Sequence, residues 1–288
     1  MKTFALSLAA LALSGGAAFA DPIRVVAAEN FYGDIARQIG GEHVAVVSIL
    51  TNPDQDPHLF EASPETAKAI AEAQVAIANG ADYDPWMAKL LAASPSPARK
   101  EIDVGALVGA KPGDNPHLWY GPANIKAAAQ ALTAALVAVD AAHAADYRAG
   151  ETKFMASMKP LDDKLGEMRK RHQNVAVAAS EPVFGYAAQA IGLDVREQKF
   201  ALSVMNDSEP APSDVATFES DLKGHKVRAM IYNSQASEPA VEKLVALAKA
   251  SGVPVVGVTE TEPPGASYQT WIGGELDALD KALGAPVN

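Results

Sequence analysis

The stretch from residue 141 to 172 constrains this chain more than any other. It holds no strand candidate and is rich in Ala, Lys, Glu, Met and Leu. Tyr147, Phe154, Met158, Leu161, Leu165 and Met168 recur there at intervals of three, four or seven. That is the period of one helix face, so the segment reads as a single long helix. A kink is expected at Pro160, which has no N–H to give the backbone ladder. On both sides of this helix, short apolar runs alternate with helical patterns. Such alternation predicts α/β architecture: two lobes, each a parallel β-sheet flanked by helices, joined by one long rigid α-helix. The expected boundaries are 21–140 for the first lobe, 141–172 for the connector and 173–288 for the second lobe.

In the first lobe, Ile23 to Ala28, Val44 to Leu50 and Val75 to Ala78 read as strands of the buried parallel type. Phe31, Ile35 and Ile39 mark a helix that stops at Gly40-Gly41. Ser63-Pro64 and Asp84-Pro85 each look like an N-cap followed by a first-turn proline. A further helix is expected from about Pro122 to Val139. In the second lobe the strand candidates are Val175 to Ala179, Asp194 to Glu197, Val227 to Tyr232 and Val253 to Val258. Ser213 is the expected cap of a helix containing Val215, Phe218 and Leu222, and a last helix carries Trp271, Leu276 and Leu283. No sequence repeat relates the halves; only the order of elements is similar.

The first twenty residues read as a secretory signal peptide. Lys2 precedes a short apolar run, and Ala18-Phe19-Ala20 forms an A-x-A cleavage site before Asp21. Cleavage would leave 268 of 288 residues and, by removing Lys2, take the net charge from −11 to −12. The expected location is periplasmic, and no second apolar run looks long enough to span a bilayer. With no cysteine there are no disulfides and no thiolate ligands. A metal site would have to use His, Asp, Glu, Asn, Met or water. The acidic balance argues against nucleic acid as a partner and suits attraction of cations. No H-E-x-x-H, G-x-S-x-G, Walker or dinucleotide motif is present.

The residues with most chemical promise sit after strands, where open parallel sheets place their ligands. Asp56-Pro57-His58-Leu59-Phe60-Glu61 is echoed by Asn115-Pro116-His117-Leu118-Trp119. Proline stiffens each segment, and an ordered imidazole loses little further entropy on coordination. Two strand exits in the second half carry Glu181 and Glu260. Taken alone, an exit glutamate is more often a charge at a helix N-terminus than a ligand. Together, His58, His117, Glu181 and Glu260 could close around a divalent cation between the lobes, with two carboxylates neutralising it. Mixed imidazole and carboxylate donors suit Mn²⁺, Fe²⁺ or Zn²⁺. Asp207, Glu209 and Glu262 are weaker candidates for the same role. His43, His143, His172 and His225 look structural or solvated. Trp86, Trp119 and Trp271 look like packing residues.

These motifs, taken in order, resemble the metal-specific solute-binding proteins of ABC transporters, the zinc/manganese type. The likeness rests on Asp56-Pro57-His58 with Glu61 and Pro64, Asn79-Gly80 with Pro85-Trp86, and Asn115-Pro116-His117-Leu118-Trp119. In the second half it rests on Glu181 with Phe184-Gly185-Tyr186, Glu209-Pro210-Ala211-Pro212-Ser213, Tyr232-Asn233-Ser234 and Thr259-Glu260. The resemblance implies two α/β lobes with a metal buried between them and His58, His117 and Glu181 as ligands. The fourth ligand of that family is usually Asp, and Glu260 is the matching residue. Glutamate at the third position is similar to the manganese/iron branch, and no histidine-rich loop of the kind seen in many zinc members is present.

The resemblance implies a carrier. A monomer is expected to take up Mn²⁺ or Zn²⁺, or Fe²⁺, as its cargo and to dock on an inner-membrane ABC permease. A metal-dependent hydrolase using the same His/Glu cluster, with one position open for water, is the alternative. A surface adhesin of the same fold is a third, though no lipobox cysteine supports anchoring.

Overall fold

The computed structural model describes residues 21–52, 60, 62–111, 113–235 and 238–284. The candidate signal peptide, the His58 segment from residue 53 to 59, and Glu61 lie outside the described residues.

The first lobe is a four-stranded sheet in the order β2-β1-β3-β4, all parallel. Its strands are β1 (Ile23–Glu29), β2 (Val44–Leu50), β3 (Val75–Ala78) and β4 (Lys100–Asp103). The two inner strands are almost wholly buried, as unbroken apolar runs require when helices cover both sheet faces. Edge strand β4 reads Lys-Glu-Ile-Asp and is largely exposed. With no apolar run, it gives no strand pattern in the sequence.

The flanking helices are α1 (Asn30–Gly40), α2 (Pro64–Glu72), α3 (Pro85–Ala93), α4 (Val104–Val108) and α5 (Pro122–Val139). Ser63 caps α2 by accepting from Thr66 N–H, as its sequence suggests. Asp84 precedes α3 but does not cap it: its carboxylate turns back to the N–H groups of Asn79 and Gly80, at 2.7 and 2.8 Å. By length and composition α5 is apolar enough to cross a membrane, contrary to the sequence reading. Its residues Ile125, Ala128, Leu132 and Leu136 are instead buried in the core of the molecule.

A short 3-10 turn at Ala141–His143 leads into the connector α6 (Ala144–His172), 29 residues long. At 1.5 Å per residue that is about 43 Å. The helix continues through Pro160. Gly150 lets α6 lie against the end of α1, because a Cβ there would stand 2.1 Å from the Ile39 carbonyl oxygen.

The second lobe repeats the first in topology: β6-β5-β7-β8, all parallel. Its strands are β5 (Ala176–Ala179), β6 (Asp194–Arg196), β7 (Met230–Asn233) and β8 (Val255–Val258). Its helices are α7 (Gly185–Ile191), α8 (Gln198–Met205), α9 (Pro212–Lys223), α10 (Pro239–Ala250) and α11 (Tyr268–Gly284). Ser213 is not the cap of α9. The cap position is Ala211, Pro212 opens the helix, and Ser213 lies within its first turn.

The lobes do not have separate cores where they meet. One apolar cluster runs from Ile23 and Phe31 through Trp119, Tyr120, Phe154 and Phe184 to Trp271 and Leu283. The Phe31 ring lies tilted against those of Trp119 and Trp271, with centroids 4.8 and 5.8 Å away. Trp119 and Trp271 are therefore core residues, as the sequence suggests, and they pack at the junction of the lobes. Helix α11 closes the molecule by returning to α6, where Asp280 takes Lys164, Arg171 and His172 at 2.8 to 3.0 Å.

Candidate metal centre

His117 follows Pro116 on the loop between α4 and α5, and its side chain is fully buried. Its ring is fixed by Asn115. The Asn115 amide nitrogen donates to the Pro182 carbonyl at 2.7 Å, which settles which end of the amide is oxygen. That oxygen accepts the His117 backbone N–H at 3.1 Å and faces ring Nδ1 at 2.7 Å. Nδ1 must therefore carry the proton, and in the neutral ring Nε2 presents its lone pair. This is the arrangement by which an outer partner prepares a ligating histidine.

Nε2 makes no hydrogen bond among the described residues. It points toward Glu260 Oε2, 3.6 Å away, with both side chains almost completely buried. That is too long for a hydrogen bond. Two atoms each about 2.1 Å from a shared cation at the tetrahedral angle would lie about 3.4 Å apart. The spacing suits two donors to one ion.

Glu260 leaves the end of β8 and is 2 % exposed. Its Oε2 accepts the Tyr83 hydroxyl at 2.9 Å, a bond that crosses from the first lobe to the second. Burial, together with the neighbouring Glu260 charge, pushes the Tyr83 hydroxyl well above its ordinary value, so it remains a donor. Glu260 Oε1 accepts from Asn233 Nδ2 at 2.6 Å, and the same nitrogen donates to Glu181 Oε2 at 3.3 Å. Glu181 leaves the end of β5, and Asn233 ends β7. The Glu260 and Thr261 N–H groups both donate to the Gln235 side-chain oxygen.

Of the four residues predicted from the sequence, His117 and Glu260 face one another, and Glu181 shares the Asn233 amide with Glu260. His58 lies outside the described residues. Among the described residues no three His, Cys, Asp or Glu side chains form a complete metal cage. The neutral Asn233 side chain links Glu181 to Glu260, and Tyr83 donates to Glu260. Glu262 belongs elsewhere. Its backbone N–H and C=O pair with Asn30 at 3.0 and 2.7 Å, and burial with nearby Asp34 raises its carboxyl to about 8. Asp207 and Glu209 are exposed on the loop before α9.

Tyr83, Asn115, Asn233 and Gln235 carry no metal-ligand signature, and sequence reasoning gave them no role. Asn115 lies in the Asn115-Pro116-His117 motif and Asn233 in the Tyr232-Asn233-Ser234 strand exit, the signs the sequence offers for them. A second buried acidic group also escaped notice. Glu29, at the end of β1, is fully buried beside Asp84, and burial and that neighbour raise its carboxyl well above the usual range.

The family model for the zinc-uptake complex component A, a periplasmic component, matches residues 25–282. The chain belongs to this family. The family is one of solute-binding components of metal transporters. The iron ABC transporter substrate-binding lipoprotein MtsA of Streptococcus pyogenes serotype M1 is 25 % identical, the alignment covering 91 % of this chain and 89 % of MtsA. The manganese ABC transporter substrate-binding lipoprotein PsaA of Streptococcus anginosus is 22 % identical, with the same coverage of each chain. Among solved structures, the periplasmic zinc-binding protein TroA of Treponema pallidum superposes with a TM-score of 0.78 at 17 % identity, over 92 % of this chain and all of TroA. That likeness bears out the two-lobed fold expected from the sequence.

Proposed function

We infer that the protein is the periplasmic solute-binding component of an ABC importer, exported by its first twenty residues. It captures a divalent transition metal between its lobes and delivers it to an inner-membrane permease. The cargo is Zn²⁺ or Mn²⁺, with Fe²⁺ as a further member of the class, and the ligands are His58, His117, Glu181 and Glu260. The observation that carries this reading is the buried pair of His117 Nε2 and Glu260 Oε2, two electron-pair donors 3.6 Å apart at the junction of the lobes. The metals named for the relatives (iron for MtsA, manganese for PsaA, zinc for TroA) support the class of cargo.

Release would follow a small displacement of the second lobe, carrying Glu181 and Glu260 away from His117. A wide hinge would have to break the shared apolar cluster and the connector's packing. It would also break a row of polar ties across the junction. These include Tyr120 Oη to the Thr259 carbonyl at 2.7 Å, Tyr268 Oη to the Trp119 carbonyl at 2.6 Å and Tyr186 Oη to the Asn115 carbonyl at 2.8 Å.

The test is metal analysis of protein purified without chelator or tag histidines. One divalent ion per chain is expected, lost in His117→Ala and in His58→Ala. Equal metal content in wild type and His58→Ala would remove His58 from the ligand set. Metal-free wild-type protein that takes up neither Zn²⁺ nor Mn²⁺ would sink the carrier reading.

A further inference from the structure

The turn that carries Glu181 away from β5 also grips the His117 loop, through two hydrogen bonds and a ring contact. Asn115 Nδ2 donates to the Pro182 carbonyl at 2.7 Å. The same carbonyl accepts the Gly185 N–H at 2.9 Å, which closes the turn on itself. The Tyr186 hydroxyl donates to the Asn115 carbonyl at 2.8 Å. Between these bonds the buried Phe184 ring lies tilted against Tyr120, with centroids 5.1 Å apart. Residues 182–186 follow β5 of the second lobe and residues 115–120 precede α5 of the first, so all three contacts cross the junction.

Gly185 permits this close approach. A Cβ there would stand 2.6 Å from Asn115 Nδ2. The amide cannot turn aside freely, because its nitrogen holds Pro182 and its oxygen holds both the backbone N–H and the ring Nδ1 of His117. The contacts are not equally fixed. Phe184 and Tyr120 belong to the shared apolar core, whereas Asn115, Pro182, Gly185 and Tyr186 line a cleft of about 570 Å³. The polar part of the grip therefore has room to open while the aromatic part stays packed.

We propose that the Pro182–Tyr186 turn is a latch on cation release, with Gly185 and Tyr186 as positioning residues that hold His117 toward the Glu181 exit through Asn115. This rests on the carrier reading, with His117 as a ligand, and adds to it the contacts that must open. A displacement that carries Glu181 away from His117 has to stretch the Pro182 and Tyr186 bonds. Removing a bond that is intact in the loaded protein and broken on the way out speeds release and leaves capture nearly unchanged.

The experiment follows Zn²⁺ leaving preloaded protein into excess chelator by stopped flow, for wild type, Tyr186→Phe and Gly185→Ala, with capture rates measured on the metal-free proteins. Tyr186→Phe is expected to release Zn²⁺ roughly fivefold faster, the effect of one neutral hydrogen bond, with capture changed by less than about twofold. Gly185→Ala is expected to release it faster still. In metal-free Gly185→Ala the His117 Nδ1–H resonance, assigned by its absence in His117→Gln, should shift or vanish. Gly150→Ala, strained where α6 meets α1, should release Zn²⁺ at the wild-type rate, which separates a latch from a general loss of stability. An unchanged release rate in Tyr186→Phe, an unmoved His117 resonance in Gly185→Ala, or a Gly150→Ala rate raised as much as theirs would each overturn the proposal. Thermal melts of the metal-free proteins show whether each variant folds, and Tyr186→Phe alone carries the kinetic test. Wild type that binds Zn²⁺ and releases it at a rate indifferent to Tyr186 removes this inference alone; wild type that binds no Zn²⁺ removes the carrier reading as well.

Discussion

At the scale of single residues, the decisive partnership is Asn115 with His117. A metal-ligating imidazole needs its far nitrogen protonated and oriented, and Asn115 does both through one oxygen. Asn115→Ala is expected to lower cation affinity about 10- to 100-fold, the usual effect of losing such a partner. Asn115→Asp, which can still accept from Nδ1, should retain most of the affinity. Equal losses in the two variants, measured by chelator competition, would show that Asn115 acts through the Pro182 tie instead. The sequence placed Asn115 in the motif but could not assign its work, because the deciding contact is to a carbonyl 67 positions away.

At the scale of elements, two contacts have sharp consequences. The first is the approach of α6 to α1 at Gly150. A methyl group there meets backbone atoms of Ile39 at 2.1 to 2.9 Å, and backbone cannot rotate out of the way as a side chain can. Gly150→Ala is expected to destabilise the fold by about 2–3 kcal/mol, the upper part of the overpacking range, as read from denaturant melts. The second is Glu275 on α11. Its Oε1 accepts from Thr259 N–H at 2.9 Å and the Trp271 indole N–H at 2.9 Å, and its Oε2 lies 2.6 Å from the Tyr120 hydroxyl, so α11 is bound to the loops that carry His117 and Glu260. Burial raises its carboxyl from 4.5 to about 7, against the lowering effect of those hydrogen bonds. The folded protein thus keeps a proton that the unfolded chain has already released. The stability contributed is full below about pH 4.5 and is lost as pH rises through 7. Glu275→Gln, neutral at every pH, is expected to match wild type at pH 4 and to exceed it by up to about 3 kcal/mol at pH 8. Metal-free unfolding curves at the two pH values check this, and a pH-independent difference would refute it.

At the scale of the whole molecule, the shared core makes the two lobes one mechanical unit. Metal-free protein is expected to unfold in a single transition, because Phe31, Trp119, Phe154 and Trp271 belong to one cluster. Zn²⁺ held at a hundredfold excess over its dissociation constant should add about 2.7 kcal/mol to that stability. Affinity should weaken as pH falls, since protons compete with the cation for imidazole and carboxylate. Solution scattering should give nearly superimposable curves with and without metal. A large change in radius of gyration would mean that the lobes swing apart, against the packing seen here.

The sequence by itself determined the architecture, because alternation and helical period are local properties of the chain. Buried strands β1, β3 and β5 announce themselves as apolar runs, and the connector by an apolar stripe sustained without a strand. It also singled out His117, Glu181 and Glu260, since strand exits and prolines can be read directly. Edge strand β4 and helices α4 and α8 lie outside that reading, β4 because a solvated edge needs no apolar run. What only tertiary structure decided is the electrostatic setting of the candidate centre. Tyr83 reaches Glu260 across 177 positions, Asn233 joins carboxylates from two different strands, and Glu29 meets Asp84 in the interior. Amide and hydroxyl side chains have the same appearance in a sequence whether they lie in water or bridge two buried charges; the fold removes the water and makes the difference.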